Sequence, residues 1–158
     1  MISANHKGIL SISGKMVIVG NGVHAFGTGI RLLIGSNGVL RVGNNFTSSV
    51  NCMIGCSNSI TIGDDNMWSF DNVIMDNDAH QILSSEHKVV NHNSPISFGN
   101  HVWLGCRNIV LKGAVIPDGC MVASGSKITG VYSLTNCIIG SGKKIIKKDV
   151  FWKRNKSI

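Results

Sequence analysis

The most regular feature of the chain is an apolar side chain that recurs every six positions between residues 98 and 128. A period of six matches neither an α-helix nor the two-residue alternation of an isolated strand. It is typical of a triangular coil, in which each six-residue unit supplies one short strand, one corner and one interior side chain. The pattern therefore predicts an all-β, parallel β-helix with these interior residues: Phe98, Leu104, Val110, Ile116, Val122 and Ile128.

Small and turn-prone residues lie between these apolar positions, and they predict the corners of the coil. Gly, Asn and Asp tolerate the positive φ angles that sharp corners require. The predicted corners are at Gly99-Asn100, Gly105, Gly113-Ala114, Asp118-Gly119 and Ser124-Gly125.

Upstream of residue 98 the period is looser, but similar residues return at intervals of 20. Ile34, Ile54 and Ile74 form one such series, and Val42 and Ile62 form another. This spacing predicts the same coil with small insertions at its corners.

A polar stretch interrupts the coil at residues 81–95. The pattern of residues 60–65 recurs at residues 96–101, 36 positions later. One coil would need fewer residues than that, and the extra residues fall in this polar stretch. We interpret it as a protruding loop, and such loops in compact domains are usually functional. We therefore expect one domain over residues 1–158, with the β-helix at about 10–140, the loop at 81–95 and a tail at 141–158.

The composition agrees with a compact domain that has many turns. Hydrophobic residues make up 43% of the 158 positions, charged residues 15%, and there are 19 glycines but only 2 prolines. No apolar run is long enough to span a membrane, and residues 1–10 lack the apolar core of a signal peptide, so we expect a cytoplasmic protein. The five cysteines are an odd number among apolar neighbours, which favours buried, reduced thiols.

The positive charge of the chain is concentrated at one end. Residues 143–158 hold seven of the fifteen basic residues and one of the eight acidic ones. A solvated terminus and a phosphate-binding end both explain this charge. Nucleic-acid binding is not expected, because no basic stripe with interleaved aromatic residues runs through the rest of the chain.

Three segments of the chain resemble the hexapeptide-repeat acyltransferases, among them the galactoside, maltose and polysaccharide O-acetyltransferases. They are residues 96–129 for the repeat, residues 72–80 for the strand that carries the catalytic histidine, and residues 140–148 for the closing motif. The resemblance implies a left-handed β-helix, a homotrimer and acetyl-CoA bound in the groove between adjacent subunits. It also implies acetyl transfer to a sugar hydroxyl, with no metal and no transmembrane segment.

The resemblance assigns His80 as the catalytic base, and the residues themselves support that choice among six histidines. Acetyl transfer from a thioester needs a base for the hydroxyl proton, and a neutral histidine is suited to that task. His80 ends the predicted strand and opens the loop. Residues 76, 78 and 80 share one side of a regular strand, so the carboxylate of Asp76 or Asp78 could orient the imidazole. The resemblance favours Asp78, because many polysaccharide O-acetyltransferases have an aspartate two residues before the histidine. Trp103 is expected to line the acyl site beside the histidine of a neighbouring subunit.

The resemblance also assigns residues to the cofactor. Cys106, Ser124 and Thr129 match positions along the acetyl-CoA arm, and Lys144 and Lys147 match basic residues that reach its phosphates. The closing motif departs from the usual pattern, because Gly142-Lys143 replaces Pro-Ala.

Other functions remain open at this point. Nucleotide-linked amino sugars could be N-acetylated with the same base. A metalloenzyme like the gamma-type carbonic anhydrases would need a histidine site, and His87 and His92 are five positions apart. Both lie in the irregular loop, however, and metal ligands need rigid placement. A non-catalytic β-helix scaffold would not need the combination of His80, the loop and Trp103.

Overall fold

The structure, a computed structural model, describes residues 7–20 and 22–154, and within these residues it contains seventeen β-strands and no helix. The strands form three sheets. Sheet 1 contains β1 (Ile9–Ile12), β3 (Arg31–Ile34), β6 (Met53–Cys56), β9 (Val73–Met75), β12 (Ile109–Leu111) and β15 (Lys127–Ile128). Sheet 2 contains β2 (Lys15–Ile18), β4 (Val39–Val42), β7 (Ser59–Ile62), β10 (Ile96–Phe98) and β13 (Val115–Ile116). Sheet 3 contains β5 (Thr47–Ser48), β8 (Met67–Trp68), β11 (Trp103–Leu104), β14 (Met121–Val122), β16 (Ile138–Gly140) and β17 (Lys144–Lys147).

From β3 to β15, successive strands visit the three sheets in turn, so the chain coils as a β-helix. Every pairing between named strands is parallel except that of β16 with β17, which is antiparallel. The part of the chain that the structure describes has no helix long and apolar enough to cross a membrane.

The interior of the coil is filled by the apolar residues of the six-residue period. All six are at most 2% exposed: Phe98, Leu104, Val110, Ile116, Val122 and Ile128. They stack on residues of neighbouring coils, as Ile54, Ile74, Val110 and Ile128 do along sheet 1. Burial of each large apolar side chain stabilises the fold by about 1.5–3 kcal/mol. The prediction of one interior side chain per unit is confirmed.

Buried asparagines join successive coils at the corner between sheets 3 and 1. The side-chain oxygen of Asn72 accepts from the backbone N–H of Asn108 at 2.9 Å, and that of Asn108 accepts from Ser126 N–H at 2.7 Å. The Asn108 amide also donates to the carbonyl of Gly105 at 2.8 Å. These bonds satisfy backbone groups that the corner withdraws from both water and the strand ladder.

The corner glycines serve two different purposes. Gly113, Gly119 and Gly125 have positive φ as expected, but at the other corners the positive φ falls on His101 and Arg107. The expectation that glycine, asparagine or aspartate takes the positive φ is therefore wrong at the corners of Gly99 and Gly105. At Gly105 a Cβ atom would lie 2.6 Å from Ser124 Oγ, so the glycine is required because the next coil passes too closely.

The register upstream of residue 98 agrees with the 20-residue series only in part. Val42 pairs with Ile62, and Ile54 pairs with Ile74, as the spacing predicts. Ile34, however, pairs with Cys56 and not with Ile54. The cause is a longer corner at residues 35–38, closed by a hydrogen bond from Gly38 N–H to the Gly35 carbonyl at 2.8 Å.

The coil is interrupted between β9 and β10, where the sequence places the loop. Ile60 pairs directly with Ile96, so the 36-residue recurrence does mark adjacent coils. The loop contains a small antiparallel bridge between Leu83 and Val89, closed by a bond from Ser84 N–H to the Lys88 carbonyl at 2.8 Å.

Candidate active site

His80 is presented by a tight turn at the start of the loop. Strand β9 ends at Met75, five residues earlier, so the expectation that His80 ends a strand is wrong. The turn is built by the side-chain oxygen of Asn77, which accepts from Ala79 N–H at 3.0 Å, and by His80 N–H, which donates to the Asp78 carbonyl at 2.7 Å. Ala79 has φ of 63°, a left-handed conformation that is uncommon for alanine. The constrained turn thus fixes the backbone of His80, and its side chain is exposed to solvent.

Asn91 clamps this turn from the far side of the loop. Its side-chain nitrogen donates to the His80 carbonyl at 2.8 Å and to the Asp78 carboxylate at 2.8 Å. Its side-chain oxygen accepts from Ile82 N–H at 2.7 Å. One amide therefore holds the residues on both sides of Gln81. Sequence reasoning missed Asn91, because a single asparagine in a polar loop carries no signal of this closure.

The Asp78 carboxylate is bound by residues other than the imidazole of His80. Lys112 Nζ on the adjacent coil forms an ion pair with it, and Asn91 donates the second bond. Two hydrogen bonds lower the pKa of Asp78 below its usual value: the one from Lys112, which has the larger effect, and the one from Asn91. Among the described residues, no hydrogen bond joins this carboxylate to the His80 ring.

Asp76 has a separate, structural role. Its side chain is fully buried, and its two oxygens accept from Ser57 N–H at 2.7 Å and Asn58 N–H at 2.8 Å. The carboxylate caps the corner of the preceding coil. Because the chain turns after Met75, residues 76, 78 and 80 do not share one side of a strand, and that expectation is wrong.

Trp103 lies on sheet 3 at the edge of an open groove. Its side chain belongs to β11 and the residue is 37% exposed. The groove has a volume of about 240 Å³, and Met121, Ser124 and Ile138 also line it. The indole nitrogen of Trp103 lies 3.5 Å from Ser69 Oγ, which is a long hydrogen bond. The groove is largely apolar and can accept an aliphatic chain or a small acyl group.

Cys106 and Ser124 lie together at the corner between sheets 3 and 1. The backbone N–H of Cys106 donates to Ser124 Oγ at 3.1 Å. Cys106 is half-buried, so the expectation of buried thiols is correct for the other four cysteines and wrong for this one. All five are free thiols. Burial raises the pKa of Cys56 and of Cys120 to about 12, which leaves both unreactive.

The remaining predicted cofactor residues occupy other places in the fold. Thr129 is exposed after β15, at the corner between sheets 1 and 2, where the His80 loop also departs. Lys144 and Lys147 are exposed on β17 of sheet 3. The structure therefore groups Cys106, Ser124 and Trp103 on one side of the chain, and it does not bring Thr129 to them.

The unusual closing motif suits the hairpin that joins β16 to β17. Gly142 has φ of 69° and Lys143 has φ of 61°. Proline at position 142 could not adopt that angle, because its ring fixes φ near −65°. The replacement of Pro-Ala by Gly-Lys thus agrees with the turn that this chain forms.

His80 and Trp103 lie on different sides of one chain. The loop of His80 leaves between sheets 1 and 2, whereas Trp103 is on sheet 3. Beside the His80 turn, a second groove of about 350 Å³ runs over sheet 1 and is lined by Met53, Met75 and Ala79, among others. Each chain therefore carries two separate grooves, one beside His80 and one beside Trp103. Within the described residues, no group of three His, Cys, Asp or Glu side chains could hold a metal ion.

The tail contains a cluster that sequence reasoning also missed. Trp152 stacks on the ring of His101, and Arg154 bonds to the Asp65 carboxylate at 2.9 Å. Up to Arg154 the tail is thus packed against the coil. The available signal was an aromatic and a basic residue two positions apart in a segment otherwise dominated by lysine.

Comparison with known proteins identifies relatives of this chain. No protein-family model matches it. It is 31% identical over 96 residues to a galactoside O-acetyltransferase of Escherichia coli K12, an alignment that covers 60% of this chain and 46% of the relative. It is 29% identical over 132 residues to a putative lipopolysaccharide biosynthesis O-acetyl transferase, WbbJ, of the same organism, covering 77% and 67%. The chain thus spans about half the length of the first relative and two thirds of the second.

Solved structures show the same architecture. A maltose O-acetyltransferase from Clostridium difficile 630 aligns with a TM-score of 0.71 and 25% identity, over 84% of this chain and 70% of that one. The polysialic-acid-specific acetyltransferase NeuO aligns with a TM-score of 0.64 and 21% identity, over 96% and 89%, which supports the fold.

Fold and relatives together define a left-handed parallel β-helix protein, as the sequence predicts. The resemblance read from the sequence is confirmed, because the relatives found include galactoside and maltose O-acetyltransferases.

Proposed function

We propose that this protein is an acetyl-CoA-dependent O-acetyltransferase that acts on a sugar hydroxyl of a surface polysaccharide or its precursor. The observation that carries the proposal is the exposed His80, fixed by a constrained and clamped turn, in a chain whose sequence relatives are named O-acetyltransferases. The thioester C–S bond breaks, a C–O bond forms to the acceptor oxygen, and the hydroxyl proton passes through the base to the departing CoA thiolate. His80 is the base in this proposal.

Asp78 acts on His80 indirectly in this account. Its carboxylate is held by Lys112, and it shares the side-chain nitrogen of Asn91 with the His80 carbonyl. We therefore assign Asp78 to fixing the turn that presents the imidazole. A bond from Asp78 to the imidazole itself would require the ion pair with Lys112 to open.

A homotrimer would complete the site. The His80 turn and the Trp103 groove lie on different sides of each chain, so neither half-site is sufficient alone. In a three-fold assembly, the Trp103 groove of one subunit can face the His80 turn of the next. Outward-facing apolar residues of sheet 1, such as Leu33 at 37% exposure and Ile109 at 44%, suit burial in that interface.

Acetyl-CoA is the proposed donor. The apolar groove beside Trp103 suits the pantetheine arm and the acetyl group, with Cys106 and Ser124 at its corner. The exposed Lys144 and Lys147 belong to the same sheet and suit the phosphates. Thr129 enters this site only from another subunit, because it lies at a different corner. The free thiols suit the reducing cytoplasm, where we place the reaction.

An acetyl-transfer screen tests this function. The purified protein is incubated with acetyl-CoA and defined oligosaccharides, and the products are analysed by mass spectrometry for added acetyl groups. We expect ester formation on one class of glycan. Acetylation confined to amino groups would support the N-acetyltransferase alternative, and no transfer to any glycan would count against the proposal.

A further inference from the structure

The chain returns along the coil after β17. Residues 148–154, which we call the C-terminal strap, follow the corner between sheets 2 and 3 in the opposite direction to the coils. Val150 N–H donates to the Asn136 carbonyl at 3.0 Å, Trp152 reaches His101, and Arg154 reaches Asp65. The strap thus passes beside β11, which begins at Trp103.

Three contacts, all with His101, hold Trp152 in place. Its indole stacks on the His101 ring, with centroids 3.9 Å apart and planes within 6°, and its Nε1 donates to the His101 carbonyl at 2.9 Å. The Trp152 carbonyl lies 3.0 Å from His101 Nε2, and the other ring nitrogen lies 2.6 Å from the Asp65 carboxylate. Only 7% of Trp152 is exposed. Its indole is therefore a fixed body on the surface of the coil.

Arg154 secures the end of the strap. Besides its bond to Asp65, it donates to Thr47 Oγ1 at 2.7 Å and to the Asn66 carbonyl at 3.0 Å. A planar guanidinium with three such partners holds one orientation. The strap is thus anchored on both sides of Trp152, by Val150 before it and Arg154 after it.

Trp103 has few constraints of its own. It belongs to a two-residue strand, it is 37% exposed, and its indole nitrogen makes only a long bond to Ser69. The ring of Trp152 lies 6.2 Å from that of Trp103, at 46°, which is within the range of favourable aromatic pairs. The fixed indole of Trp152 therefore packs beside Trp103 at the edge of the groove.

We propose that Trp152 is a positioning residue that holds Trp103 in the orientation that closes the acyl site to water. This inference rests on the proposed function. Water competes with the acceptor hydroxyl for the acetyl thioester: both break the C–S bond, and the acetyl group ends as acetate or as a sugar ester. A loosened Trp103 admits water, so loss of Trp152 changes the partition between the two products as well as the total rate.

The experiment compares Trp152→Ala with Trp152→Phe and uses Phe151→Ala as the matched control. Phe151 is the adjacent strap residue and is 76% exposed, so its removal leaves the packing intact. Released CoA and acetyl ester are measured in the same reaction with an acceptor identified in the screen. We expect Trp152→Ala to raise the ratio of hydrolysis to transfer by about fivefold or more, Trp152→Phe to restore most of it, and Phe151→Ala to match the wild type.

A purely structural role gives a different result. Partial unfolding would lower hydrolysis and transfer together and leave their ratio unchanged, and that outcome would overturn the inference. If Trp152→Ala does not fold, Arg154→Ala loosens the strap while it keeps the aromatic ring, and the same rise in ratio is expected.

A second readout does not depend on activity. Fluorine NMR of protein labelled with 5-fluorotryptophan should show the Trp103 signal shifted and broadened in Trp152→Ala, and close to wild type in Phe151→Ala. An unchanged Trp103 signal would overturn the positioning role even if the wild type transferred acetyl groups. A wild type without transfer but with the expected NMR change would instead count against the proposed function alone.

Discussion

Replacement of Asn91 with Ala should impair catalysis without unfolding the protein. Asn91 makes two hydrogen bonds to backbone groups that fix the His80 turn, one to the His80 carbonyl and one from Ile82 N–H. A protein hydrogen bond contributes about 0.5–1.5 kcal/mol net, and the lower end applies because this clamp lies near the surface. The two bonds therefore contribute about 1 kcal/mol, counted without the bond to Asp78. That is about fivefold in the equilibrium constant between the productive turn and its open forms, and so at most about fivefold in the population of the productive turn.

The assay separates the turn from the rest of the protein. We expect kcat for acetyl transfer to fall by up to about fivefold, KM for acetyl-CoA to stay the same, and hydrogen exchange to quicken in residues 76–95 only. Asn93→Ala is the matched control, since in the described residues only the backbone of Asn93 forms a hydrogen bond, from Asn58. Equal activity of Asn91→Ala and Asn93→Ala would refute the clamp.

Three further predictions concern the donor, the coil and the loop. The double variant Lys144→Ala, Lys147→Ala should raise KM for acetyl-CoA more than it lowers kcat, because phosphate contacts stabilise the ground state and the transition state alike. If steady-state kinetics leave KM unchanged, these lysines bind a partner other than acetyl-CoA. Asn108→Ala should lower the free energy of unfolding by about 2–6 kcal/mol in denaturant titrations, since two buried backbone groups lose their partners; a change below about 1 kcal/mol would contradict this. The ion pair of Asp78 with Lys112 should hold above the usual carboxyl pKa and be lost as the pH falls through the lowered pKa. The protection factors of the loop amides, which correct hydrogen exchange for its intrinsic pH dependence, should therefore fall only in that acid range; a fall near neutral pH would contradict it.

The coil could be predicted where its period is regular. Between residues 98 and 128 each unit contributes one interior side chain, and all six predicted residues are buried. Upstream, a two-residue difference between corners shifts the pairing of Ile34 to Cys56, and nothing in the local sequence marks that shift. The sequence also could not predict why Gly105 must be a glycine, because the reason is its close contact with Ser124 on the next coil, 19 positions further along.

The candidate site could be predicted as residue types but not as geometry. The sequence identified His80 at the start of the protruding loop. The turn at Ala79 and the hydrogen bonds from Asn91, however, form only when the loop closes on itself. Trp152 was hidden in the same way, because its partner His101 lies 51 positions away. Contacts of this kind depend on the folded corner and leave no periodic trace in the sequence.

The central claim is that His80 is the base for acetyl transfer, and kinetics of His80→Ala with His92→Ala as control test it most directly. Both histidines are exposed, so neither replacement should disturb the coil. We expect His80→Ala to lose about 10²–10⁴-fold in kcat, as removal of a general base does, while acetyl-CoA still binds and His92→Ala keeps full activity. A folded His80→Ala protein that transfers acetyl groups to its acceptor at the wild-type rate would contradict the account.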